Sequence, residues 1–66
     1  MTVYLNEKPI MAADLTPLAV ILQQQGISPA GKAVALNEIA IPPSLWAETL
    51  LHDGDKILVF RAFYGG

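Results

Sequence analysis

One helix signal stands alone in this chain, and it limits what the rest can fold into. Leu18, Ile21 and Leu22 recur at the i, i+3, i+4 spacing of a single buried helical face. Thr16 is placed to cap that helix through its hydroxyl, and Pro17 suits the first helical position, where a missing amide costs nothing. Leu15 and Val20 match the two positions of a hydrophobic staple, while Ala19 at the third position leaves out the reciprocal capping box. Gln23, Gln24 and Gln25 continue the helix and Gly26 supplies a left-handed stop, so the helix is expected over 17–25.

The remaining apolar segments are short and bounded by turn residues, as strands are. Val3-Tyr4-Leu5 reads as the first, Asn6-Glu7-Lys8 as a turn, and 9–12 as a second strand with Pro9 at its start or on a sheet edge. Pro29 and Gly31 mark a loop over 27–32, followed by a strand over 33–37. Asn37-Glu38 turns the chain toward a short apolar piece, Ile39-Ala40-Ile41, which Pro42-Pro43 ends. One helical or 3₁₀ turn is expected over 44–48, with Trp46 covering the edge of the core and Leu50 and Leu51 buried. Asp53-Gly54-Asp55 is a turn before a last strand over 56–62. The order β-β-α-β-β-β predicts an α+β fold, a mixed sheet packed on one main helix.

A chain of 66 residues supports one core, and a domain of this size buries only about 60% of its unfolded surface. Its 53% apolar and 15% charged residues are the composition of a folded chain. With no cysteine there are no disulfides, thiolate ligands or thiol nucleophiles, and one histidine does not make a zinc site. Lys8, Lys32, Lys56 and Arg61 are scattered in a chain of net charge -2, which excludes the clustered basic face that nucleic acid requires. No apolar run approaches a membrane span, and the first residues read as a strand instead of a signal peptide, so a cytoplasmic location is expected.

Gly65-Gly66 carries chemistry that no other segment offers. Glycine passes through conformations and channels closed to residues with a side chain. At a usage of about 7%, two glycines at these places have chance odds of about 0.5%. They are expected to present a terminal carboxylate, on a flexible tail over 63–66, to another protein's active site. A carboxylate becomes a useful electrophile only when its oxygen is made a good leaving group, for instance by adenylation.

The chain resembles the ThiS family of sulfur carriers, which share the ubiquitin-like β-grasp fold. The resemblance rests on Leu5-Asn6, Ala33-Val34-Ala35-Leu36-Asn37, Ile41-Pro42 with Trp46, Asp53-Gly54-Asp55 and Gly65-Gly66, in order along essentially the whole chain. It implies a carrier in thiamin biosynthesis with no catalytic machinery or bound cofactor of its own. It further implies a partner adenylyltransferase that uses ATP and magnesium to activate Gly66, with Gly65 and Tyr64 threading its active site. A sulfur-relay enzyme's persulfide then yields a thiocarboxylate on Gly66, from which thiazole synthase takes sulfur. The chain departs from the family pattern at Pro43, where a basic residue is common, and at bulky Phe63-Tyr64, where small residues are common. The rival functions are a molybdopterin-synthase-type sulfur carrier, a ubiquitin-like modifier joined to lysines, and an interaction module with inert glycines.

Alternation in the last strand puts Ile57 and Val59 on one face and Leu58, Phe60 and Ala62 on the other. One helix covers only one face of a sheet, so the second set is expected to form an exposed patch that docks the adenylyltransferase and thiazole synthase. The competing reading is a central strand packed on both faces. His52 is expected to be a surface loop residue, since acid–base use needs a pocket. Asp53 and Asp55 lack the further ligands of a calcium loop and read as turn residues. Asn37 is expected to satisfy turn amides through its side chain.

Overall fold

The computed structural model describes residues 1–61. Its elements run β1 (Thr2–Leu5), β2 (Lys8–Met11), α1 (Leu18–Gln24), β3 (Lys32–Leu36), β4 (Ile39–Ala40), a 3₁₀ turn at Pro43–Leu45, and β5 (Lys56–Arg61). The strands form one mixed sheet in the order β2-β1-β5-β3-β4. β1 and β5 pair in parallel, and the other neighbours pair antiparallel. Pro9 lies in the edge strand β2, where its missing donor is tolerated.

Two hairpins of the same design build the flanks of this sheet. Leu5-Asn6-Glu7-Lys8 and Leu36-Asn37-Glu38-Ile39 each turn through two residues with positive φ: 48° and 72° in the first, 50° and 71° in the second. Positive φ at both central residues is the signature of the type I′ turn, whose twist matches that of paired strands. Asparagine enters this region readily; glutamate does so at a cost of about 1 kcal/mol. Asn37 therefore belongs to the turn, and β3 ends one residue before the expected boundary.

The helix begins differently from the expectation. Pro17 is the N-cap, with an extended ψ of 147°, and no side chain caps the helix. Thr16 instead donates its hydroxyl to the carbonyl of Ala13 at 2.7 Å. The first free amides are satisfied from a distant segment, Leu18 by the carbonyl of Thr49 at 2.8 Å and Ala19 by that of Trp46 at 3.1 Å. A bridge between Pro17 and Leu50, with the Leu51 amide donating to Thr16, fixes this contact. Leu15 and Val20 are both exposed, so they form no buried staple. At the other end Gly26, with φ of 73°, closes the helix. Its amide donates to Gln23 and that of Ile27 to Leu22, the paired bonds of a Schellman motif.

The core lies between α1 and one face of the sheet. Val3, Leu18, Ile21, Leu22, Leu51 and Ile57 are its most buried side chains, with Val34 and Trp46 beside them. Trp46 closes the edge as expected and keeps its indole N–H satisfied by the carbonyl of Ile41 at 2.8 Å. Leu51 is buried but Leu50 is 46% exposed, because the Pro17 bridge turns alternate side chains of this short segment outward.

Candidate functional site

β5 occupies the centre of the sheet, and its two faces differ. Ile57 points to the helix and is 2% exposed, whereas Leu58 and Phe60 point away and are 53% and 47% exposed. The register explains why they stand clear. Leu58 pairs with Ala35, Phe60 with Ala33, and Ala35 in turn with Ala40, so the large side chains rise above a floor of alanines. A central strand here is not packed on both sides, and the exposed-patch geometry holds for Leu58 and Phe60. Tyr4 on β1 and Met11 on β2 are exposed as well and widen the apolar surface across the sheet. Sequence reasoning missed both; the alternation of β1 around buried Val3 and Leu5 was the available signal for Tyr4.

An open groove of about 480 Å³ crosses this outer face between the two Asn-Glu turns. Tyr4, Ala35 and Leu58 line its apolar part, and Glu7, Glu38 and Lys56 are its charged members. Ala62, Tyr64, Gly65 and Gly66, the rest of the expected patch and arm, lie outside the described residues. Arg61, the last residue of β5, pairs with Lys32 at the start of β3.

The acids of the turn before β5 close it and tie it to β1 and to the second Asn-Glu turn. Asp53 Oδ1 accepts the Thr2 amide at 2.7 Å, and Asp55 accepts the His52 amide at 2.8 Å and the Asn37 side-chain amide at 3.0 Å. These carboxylates are occupied as turn residues. His52 is exposed, its Nδ1 3.9 Å from Asp55. Asn37 satisfies β5 instead of its own turn: its Oδ1 accepts the Lys56 amide at 3.0 Å. Among the described residues no polar or charged side chain is buried, and none group as metal ligands. None of their helices is long and apolar enough to cross a membrane.

A family model for ThiS matches residues 2–66. The chain belongs to the ThiS family. It is 32% identical to the sulfur carrier protein ThiS of Escherichia coli K12 across 66 residues, the whole of both chains. The crystal structure of the thiamine biosynthesis protein ThiS from Geobacter metallireducens superposes with a TM-score of 0.84 at 23% identity, covering all of both chains. The NMR solution structure from the same organism gives 0.73 at 22% identity, covering all of this chain and 88% of the other. These two likenesses establish the fold: the mixed five-stranded sheet on one helix is the ThiS β-grasp. The ThiS match also bears out the sulfur-carrier identity expected from the sequence motifs.

Proposed function

We propose that this ThiS-family chain supplies sulfur for the thiazole half of thiamin, and that the sulfur travels on the carboxylate of Gly66. The observation that carries this reading is the end-to-end match to the Escherichia coli sulfur carrier, together with Gly65-Gly66. In the proposed cycle the Gly66 carboxylate attacks the α-phosphate of ATP, held with magnesium by a partner adenylyltransferase, and pyrophosphate leaves. A persulfide sulfur from a relay enzyme attacks the acyl carbon and displaces AMP. Cleavage of the sulfur–sulfur bond by a thiol leaves a thiocarboxylate, which thiazole synthase consumes.

The chain's own part is to present the arm and to be recognised. A carrier of this kind needs no acid–base centre of its own. The Leu58 and Phe60 face, widened by Tyr4 and continued in sequence by Ala62, is the docking surface in this reading. Gly65 and Tyr64 thread the partner's channel, and the cycle runs in the cytoplasm, where ATP is supplied. ATP–pyrophosphate exchange with the adenylyltransferase of the same cells tests it. Exchange should depend on this chain and vanish when Gly65 and Gly66 are removed; exchange that persists without them contradicts the reading.

A further inference from the structure

The two Asn-Glu turns hold β5 at two places, its start and its middle. Asn37 grips its start: its backbone amide donates to the carbonyl of Lys56 at 2.8 Å while its side chain bonds Lys56 and Asp55. Asn6 grips further along. Its backbone amide donates to the carbonyl of Ile57 at 2.9 Å, and its carboxamide bonds both groups of Val59. Oδ1 accepts the Val59 amide at 2.8 Å, and Nδ2 donates to the Val59 carbonyl at 3.2 Å.

Backbone pairing between β1 and β5 stops at Leu5 and Ile57, because the chain turns away at Asn6. β5 nevertheless continues to Arg61, with β3 as its paired neighbour at Phe60 and Arg61. Val59 directs its N–H and C=O to the vacated side. The Asn6 carboxamide offers it one donor and one acceptor, the pair that another residue of β1 would have shown.

We propose that Asn6 is the positioning residue of the carrier arm: its carboxamide extends β1 by one rung and fixes the direction in which the chain leaves β5. This rests on the reading of Gly66 as the adenylated group. Seven positions separate Val59 from Gly66, a reach of up to about 24 Å. β3 holds Phe60 and Arg61 from one side, and Asn6 holds Val59 from the other just before them. An arm that must enter another protein's site loses freedom on binding, and ordering its root beforehand reduces that loss. The benefit is one of binding, so it falls on KM and leaves kcat. Asn6 touches no reacting atom in this scheme and is not catalytic.

Asn6→Gly removes the carboxamide while keeping a residue at ease at φ 48°, and Asn37→Gly does the same at the start of β5. On the folded full chain, Asn6→Gly is expected to speed Val59 amide exchange about ten-fold and to raise backbone motion at Phe60 and Arg61 in nitrogen relaxation. Asn37→Gly should leave these unchanged. In ATP–pyrophosphate exchange, Asn6→Gly should raise the carrier's KM about five-fold with kcat within about two-fold, and Asn37→Gly should change KM by less than about two-fold. Asn6→Asp keeps the acceptor for the Val59 amide and loses the donor, so it should fall between. Unchanged Val59 exchange in Asn6→Gly, or equal KM changes in the two glycine variants, overturns the proposal. If Asn6→Gly fails to fold, Asn6→Asp against Asn37→Asp gives the same comparison. If the wild-type chain supports no pyrophosphate exchange, the functional reading is at fault; Val59 exchange and relaxation then decide the proposal alone.

Discussion

On the covered face of β5, Ile57 packs with Val3, Leu18 and Leu51 and is almost fully buried; one residue along, Leu58 stands on the opposite face with half its surface in water. Their side chains have the same size and polarity, so their own chemistry does not separate them. The neighbours do: α1 seals one face, and the alanines of β3 and β4 leave the other open. A contiguous exposed apolar patch of this kind is a usual mark of an interaction surface, which is the basis of the docking proposal. One face of the strand therefore holds the fold, and the other is the face proposed to meet partners.

The largest effect is expected on the covered side. Ile57→Ala should cost about 2–5 kcal/mol, through lost burial and the cavity left behind. Against a total of about 5–15 kcal/mol for a small domain, urea unfolding should show a strong drop in midpoint or no folded state. A cost below about 1 kcal/mol would mean that the Ile57 face is not the structural one. On the open side, Phe60→Glu should leave the urea midpoint nearly unchanged and weaken adenylyltransferase binding by about 2 kcal/mol, roughly thirty-fold, in titration calorimetry. A folded variant that binds as the wild type does removes Phe60 from the docking surface.

Smaller changes sharpen how the strand is aligned between its two faces. Asp55→Ala deprives the His52 amide and the Asn37 side chain of their acceptor and should cost about 1–2 kcal/mol in thermal or urea unfolding. An unchanged midpoint would show that water replaces both bonds at no cost. Glu38→Gly relieves a left-handed glutamate at an exposed turn and should stabilise the chain by about 1 kcal/mol. Lost stability would show that Glu38 makes a contact worth more than its strain.

Local patterns in the sequence announced much of this. Gly26 as the helix stop, Asp53-Gly54-Asp55 as a turn, Trp46 at the core edge and the alternation of β5 were all legible from residues near one another in the chain, although the turn is also tied to distant Thr2 and Asn37. The failures fall where distant segments intervene. Thr16 has the chemistry of a cap, yet carbonyls of Thr49 and Trp46 reach the first helical amides and a cap becomes unnecessary. The same bridge turns Leu50 outward beside buried Leu51. Asn6 reads as a turn residue and nothing more, because its partner Val59 is brought beside it only by the parallel pairing of β1 with β5. Of the site, the Leu58 and Phe60 face was legible from period-two alternation, whereas Tyr4 and Met11 joined it only once strand order was known. Ala62, Tyr64, Gly65 and Gly66 remain proposals from chemistry and family membership.

In the proposed cycle everything turns on sulfur carried by Gly66. Intact mass spectrometry of the chain, incubated with its adenylyltransferase, ATP, magnesium, a persulfide donor and a thiol, tests it most directly. A mass gain equal to sulfur replacing one oxygen is expected, located by fragmentation to Gly66 and absent without ATP. A chain that stays an unmodified acid while the adenylyltransferase is active, or one that is recovered joined to lysines of other proteins, would contradict it.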